Sequence, residues 1–317
     1  MSIKATRDAY GDWLKEAGKI NKNLVVVDAD LSESTKTNVF AKEFPERFFD
    51  VGSAEQNLIN VSSGLALGGK KVFASSFAIF ETGRAWDQIR NIVAHDELNV
   101  ILVATHAGLS CAADGASHQA LEDIALMRVI PNMRVIVPCD AEETKNALDT
   151  LLNLKGPAYM RLRREKEPII DKKYKFKLGK AETLCDGSDV ALIATGMMVS
   201  YSLLAADILK KKGIDASVIN VHTIKPLDSQ MLCSVAKNTG MLVTVEEHSI
   251  YGGLGSAVSE AVSECYPVPI HKIGVNDTYG QSARSFEPLL KEYGLTPEQI
   301  AESSEKYIKK MKRLETK

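Results

Sequence analysis

Residues 100–119 read VILVATHAGLSCAADGASHQ, and this stretch decides the fold. Its first five residues, Val100 to Ala104, are a continuous apolar run of strand length, the mark of a strand buried on both faces of a parallel sheet. The remainder, Thr105 to Gln119, crowds two histidines, an aspartate and several small flexible residues into one loop. Open α/β sheets bind ligands outside the carboxyl ends of their strands, so His106, Asp114 and His118 are placed at a polar crevice.

Outward from this stretch, apolar runs alternate with helix-patterned segments. Strands are expected at Leu24–Val27, Phe48–Val51, Lys71–Ala74, Val100–Ala104, Arg134–Val137 and Ala158–Leu162. The clearest helices are Thr82–His95 and Ala141–Leu154, the second with Asp140 as N-cap and Glu142 and Glu143 in its first turn. Strands joined by helices lie parallel. From Glu165 to Lys180 the pattern dissolves into a charge-dense stretch, read as a solvated linker holding the domain boundary. The expected division is 1–170 and 171–317. Alternation then resumes with strands at Val190–Ala194, Ala216–Val221, Leu242–Val245 and Ile270–Ile273. Helices at Val199–Lys212, Ser229–Asn238 and Leu254–Glu264, with two terminal helices, complete a smaller α/β domain.

Composition narrows the function classes. A chain of 317 residues can bury a large core and is more naturally two domains than one. With 39 Lys plus Arg against 41 Asp plus Glu, no polyanion-seeking surface is indicated. No apolar run approaches membrane-spanning length, and the amino-terminal segment lacks a secretory pattern, so a cytoplasmic location is expected. The five cysteines, Cys111, Cys139, Cys185, Cys233 and Cys265, are widely spaced without a CxxC pair. They are expected to be reduced and mostly buried, with no thiolate metal site.

Polar residues follow several first-domain strands: Asp28, Asp30, Ser32 and Ser34; Gly52, Ser53 and Glu55; Ser75, Ser76 and Phe77; His106; and Arg163 with Arg164. Each has a plain structural alternative. Glu55 opens an apolar helix, where a carboxylate favours the positive helix end. The surroundings are apolar enough that this acid needs a partner or stays protonated. Phe77 and Phe80 at spacing three would fill any core, Asp114-Gly115 would make a turn, and His118 would serve as a satisfied structural histidine. Arg161, Arg163 and Arg164 could be solvated, but guanidinium groups at a strand end also suit a phosphate.

In order along the whole chain, SAEQNL, SFAIF, TH with DGASHQ, HTIKPLD and GGLGSAV resemble the carboxyl-terminal half of transketolases, most closely the carboxyl-terminal subunit of split transketolases. The resemblance implies an α/β fold: a pyrimidine-binding domain with a parallel sheet, for the cofactor thiamine diphosphate, followed by a smaller transketolase C-terminal domain. It implies that Glu55 hydrogen-bonds the aminopyrimidine ring and takes part in catalysis, and that Phe77 and Phe80 stack on that ring. It places Asp30 near the cofactor and Ser34, His106 and Arg164 at sugar phosphate. Asp114 and His118 would hold sugar hydroxyls, with His118 assisting proton movement. Because the arginines stand in RLRR, a register shift exchanges Arg164 for Arg161 or Arg163.

The family's GDG motif and asparagine-rich end are absent from this sequence. The resemblance therefore implies an N-terminal partner subunit that supplies the diphosphate and Mg²⁺ site, in an α2β2 assembly acting on sugar phosphates. Two other thiamine enzymes are the alternatives, deoxyxylulose-phosphate synthase and the β subunit of a 2-oxoacid dehydrogenase. Arg84 in RAWDQ is similar to a synthase segment, whereas the DGASHQ loop favours sugar phosphates. A noncatalytic α/β interaction module is the third reading.

Overall fold

The computed structural model describes residues 2–171 and 175–315. Val100–Ala104 is a strand with every residue fully buried. Each of its large aliphatic side chains contributes ~1.5–3 kcal/mol relative to exposure. It lies inside a seven-stranded sheet ordered Thr223–Lys225, Arg134–Ile136, Ala158–Arg161, Val100–Ala104, Lys71–Ser75, Leu24–Asp28, Phe48–Asp50. Six of the strands run parallel, so their carboxyl ends form one common edge. The seventh, Thr223–Lys225, pairs antiparallel with Arg134–Ile136 and comes from the carboxyl-terminal half of the chain. The HTIKPLD segment thus crosses back to the first sheet, where Lys225 Nζ donates to the carbonyls of Arg128 and Ile130 at 2.9 and 2.6 Å.

The second sheet is ordered Ile270–Val275, Leu242–Ser249, Val190–Ala194, Ala216–Asn220, Glu182–Cys185, with only the last strand antiparallel. One apolar cluster runs between the sheets, joining Val135 and Val137 to Ile219, Val221 and Ile224. The two halves are therefore fused through core contacts.

Three expectations need correction. The linker is partly structured: Lys166–Pro168 forms a strand antiparallel to Ile3–Ala5, and Glu167 is buried beside Arg163. Its charge density hid a short edge pairing whose partner lies at the other end of the chain; residues 172–174 fall outside those described. The helix expected at 82–95 starts earlier, at Ala78, breaks at Ala85 and continues through Trp86–Gln88 into a wider π turn at Ile89–Ala94. Beside the break, the Trp86 indole N–H donates to Leu126 O at 3.0 Å. Finally, Cys233 and Cys265 are joined in a disulfide with Cα atoms 6.1 Å apart. They are 32 residues apart in sequence and meet because helices Ser229–Thr239 and Leu254–Cys265 pack together. Cys111 and Cys139 are buried free thiols and Cys185 is half-buried.

Candidate active site

The carboxyl edge of the seven-stranded sheet opens into a cleft of about 450 Å³ lined by Arg7, Glu33, Ser34, Lys36, Phe77, His106, Asp114, His118 and Arg164. Six of these were marked in the sequence; Arg7, Glu33 and Lys36 were not. Arg7 lies in the first helix, far in sequence from every other member. It was missed because nothing in ATRDAY separates a cleft-facing arginine from an ordinary helix-surface one.

Backbone strain gathers at this edge. Asp30, Lys36, His106 and Ala112 all have positive φ, at 63°, 72°, 58° and 30°, a costly conformation for residues with a Cβ. Asp28 explains how the first of these loops is held: its buried carboxylate accepts from Leu31 N at 2.7 Å and from the Thr35 and Thr37 hydroxyls at 2.7 and 2.8 Å.

His106 has a defined protonation state. A guanidinium can only donate, so Arg7 Nη1, 3.1 Å from His106 Nε2, requires that nitrogen to accept. The proton then sits on Nδ1 and is directed at Thr105 Oγ1, 2.8 Å away. Burial first, then the positive charges of Arg7 and Arg164, push the imidazole down to about 3, so it is neutral at working pH. The positive groups of the cleft are therefore Arg7, Lys36 and Arg164.

Within RLRR the three arginines separate cleanly. Arg161 is buried, with Nε on Asp123 Oδ2 at 2.7 Å and Nη2 on the carbonyls of Ala120 and Glu247. Arg163 is buried between Glu167 and Glu247, its Nε 2.9 Å from Glu247 Oε2 but off the hydrogen-bond line. Only Arg164 faces the cleft, partly exposed and 3.6 Å from Asp114 Oδ2.

A second cluster adjoins the cleft. Phe77 stacks on His106 with ring centres 3.8 Å apart and on Phe80 at 6.0 Å. Phe80 meets His118 edge-on at 5.1 Å. Beyond Phe80 lies Glu55, the first residue of helix Glu55–Leu67, buried and paired with Arg84 at 3.3 Å. Asp30 sits at the rim, where its Oδ2 accepts from Ser53 Oγ at 3.2 Å. Glu55 and Asp30 do not line the cleft; Glu55 is linked to the aromatic pair through Arg84, whose guanidinium lies 4.5 Å from the Phe80 ring centre. Among the described residues, no three His, Cys, Asp or Glu side chains gather closely enough to hold a metal ion.

The DGASHQ loop is braced from behind by the second half of the chain. Glu247, at the end of Leu242–Ser249, accepts from Leu109 N at 2.8 Å. Gly108 (φ +70°) has no room for a side chain, because a Cβ there would lie 2.5 Å from the Glu247 carboxyl carbon. Gln119 Nε2 donates to Gln281 O at 3.1 Å, and Ala283 N to Ala112 O at 3.0 Å.

Comparison with known proteins agrees with this architecture. Residues 3–168 match the transketolase pyrimidine-binding domain and residues 179–300 the transketolase C-terminal domain. The chain is 50% identical over 311 residues to a transketolase C-terminal section of Methanocaldococcus jannaschii, covering 97% of each. It is 40% identical to a 6-deoxy-6-sulfo-D-fructose transketolase subunit of Clostridium sp. (strain MSTE9), covering 94% of this chain and 92% of that one. A solved structure described as a split gene transketolase, inactive beta4 tetramer, superposes with a TM-score of 0.89 at 48% identity, covering 96% and 98% of the two chains. No helix among the described residues is long and apolar enough to cross a membrane. The chain belongs to the transketolase family, with the pyrimidine-binding and C-terminal domains together in one polypeptide of the split, carboxyl-terminal-subunit type.

Proposed function

We propose that this chain is the catalytic-face subunit of a two-subunit transketolase that moves a two-carbon ketol unit from a ketose phosphate to an aldose phosphate. The observation that carries this reading is the single edge at which the cationic cleft and the Glu55–Phe80–Phe77 cluster meet through His106 and His118. The residues fit the pyrimidine half of thiamine diphosphate, since a flat heterocycle with a basic ring nitrogen calls for an aromatic face and a buried acid. Phe77 and Phe80 supply the face and Glu55 the acid. When bound, the cofactor supplies the nucleophilic carbon that carries the two-carbon unit.

The chain's own groups divide the remaining work. Glu55 donates to the ring, a general-acid contribution worth ~10²- to 10⁴-fold in rate. Arg164, with Arg7 and Lys36, takes the phosphate through charge-assisted hydrogen bonds, and the Ser34 hydroxyl adds a neutral one. Neutral His106 holds Arg7 by accepting from it and backs the face of Phe77. Asp114 accepts from sugar hydroxyls, His118 moves a proton at the substrate oxygen, and Asp30 orders the turn that leads into Glu55.

In this reading a partner subunit bearing a GDG motif supplies the diphosphate and Mg²⁺ site, giving a cytoplasmic α2β2 enzyme with the domain division at 170/171. The solved relative described as an inactive β4 tetramer supports a requirement for that partner. The test is reconstitution with such a partner, thiamine diphosphate and Mg²⁺, followed by assay of xylulose 5-phosphate plus ribose 5-phosphate. Ketol transfer that needs both subunits supports the proposal. Pyruvate-dependent chemistry instead, or full activity from this chain unaided, defeats it.

A further inference from the structure

Glu55 is 5% exposed, and its carboxylate has a cover. Arg84 Nη1 reaches both carboxylate oxygens, at 3.4 and 3.3 Å, and the guanidinium rests over the Phe80 ring 4.5 Å from its centre. The arginine side chain is 60% exposed, so the guanidinium stands between the buried acid and solvent. Gln56 Nε2 donates to Arg84 O at 3.3 Å, which ties the backbone beneath this cover to the helix that carries Glu55.

These contacts conflict with the role proposed for Glu55. A guanidinium is donor-only, so both carboxyl oxygens that it holds act as acceptors there. Donation to a ring nitrogen needs the protonated form. Because the guanidinium is mostly solvated, it can leave at little cost.

We propose that Arg84 is a positioning residue: a latch that occupies both carboxyl oxygens of Glu55 in the free chain and is displaced when a pyrimidine ring docks against Phe77 and Phe80. The proposal rests on the role given to Glu55 above. Its consequence is that the latch opposes cofactor binding. Removing it leaves the buried Glu55 carboxyl group open to the ring.

The test is calorimetric titration of thiamine diphosphate with Mg²⁺ into the complex assembled with the diphosphate-binding partner, using the wild type, Arg84→Met, Arg84→Lys, Glu55→Gln and the Arg84→Met/Glu55→Gln double variant. Arg84→Met is expected to bind the cofactor roughly three- to tenfold more tightly. A merely structural role would weaken binding. Arg84→Lys keeps the charge and is expected to return affinity toward wild type, and the gain from Arg84→Met is expected to vanish in the Glu55→Gln background. Unchanged or weaker binding by Arg84→Met, or the same gain without Glu55, overturns the latch. If Glu55→Gln turns over normally, the role of Glu55 fails and the latch fails with it. If Glu55→Gln is inactive while Arg84→Met binds like wild type, the latch alone fails.

Discussion

Both parallel sheets present a carboxyl edge and both have a cleft near it, yet the strand-end charges are open to the cleft in the first and buried in the second. In the first sheet that edge faces a cleft with three cations and two carboxylates in reach of solvent. In the second, the equivalent strand carries Glu246-Glu247-His248 near its end, and all three side chains are buried. Glu246 accepts from Leu254 N and Gly255 N, both at 2.7 Å, so a side chain of the protein itself already occupies the helix end that GGLG introduces. Glu247 is taken by Arg163 and the back of the DGASHQ loop. The topology rule that puts ligands at carboxyl edges marks two candidate edges, and occupancy by internal carboxylates distinguishes them. The second sheet serves as a brace for the loop of the first.

That contrast breaks most sharply at its two glutamates. Glu55→Gln, on the open side, is expected to lower kcat by ~10²- to 10⁴-fold with an unchanged thermal midpoint, because the amide keeps the shape but cannot donate the same proton. Near-normal turnover would remove Glu55 from the mechanism. Glu247→Ala, on the closed side, leaves Arg163 without one of its two buried counter-charges and Leu109 N without its acceptor, and is expected to cost ~3–5 kcal/mol in denaturant unfolding. A loss below about 1 kcal/mol would show that the brace is held by something else.

Arginine neighbours sharpen the same contrast. Arg164→Ala is expected to raise KM for phosphorylated substrates about tenfold or more, with little change for an unphosphorylated acceptor and none in stability. Arg163→Ala is expected to do the reverse, lowering stability while leaving the KM ratio alone. Equal KM effects from both would dissolve the distinction between open and closed edges.

The smallest expected effect is a pH slope. Folded His106 refuses a proton until about 3, whereas the unfolded chain takes one near 6.5. The unfolded state therefore binds more protons between those values. Stability is complete above about 6.5 and is lost as pH falls, by at most ~1.4 kcal/mol per pH unit from this group. His106→Gln removes the titration, so denaturation midpoints measured from pH 7 to 5 should decline less steeply than in the wild type. Parallel declines would mean that burial of this imidazole has no thermodynamic weight.

Much of the site was legible because it is local. Helix capping by Asp140, whose Oδ1 accepts from Glu143 N at 2.8 Å, follows from a short sequence pattern. So does the crowding of His106, Asp114 and His118 behind an apolar run. Arg7 and Lys36 were not legible: a surface cation looks the same whether it faces a cleft or bulk water. The RLRR ambiguity was likewise local in sequence and nonlocal in resolution, since only Asp123, Glu167 and Glu247 decide which arginines are buried. The strand from Thr223 to Lys225 was missed because its partner lies some ninety residues earlier, and a three-residue strand carries almost no period.

By itself, the sequence determined the alternation of strands and helices, the parallel first sheet and the polar row at its carboxyl edge, because hydrophobic period and turn chemistry act over a few neighbouring residues. Only the tertiary structure decided which carboxyl edge gathers cations around its cleft, which arginine faces it, the neutral state of His106, the pairing of Cys233 with Cys265 and the cover that Arg84 places on Glu55. Each of these depends on burial and on charges brought together from distant segments, and those interactions exist only once the chain has folded.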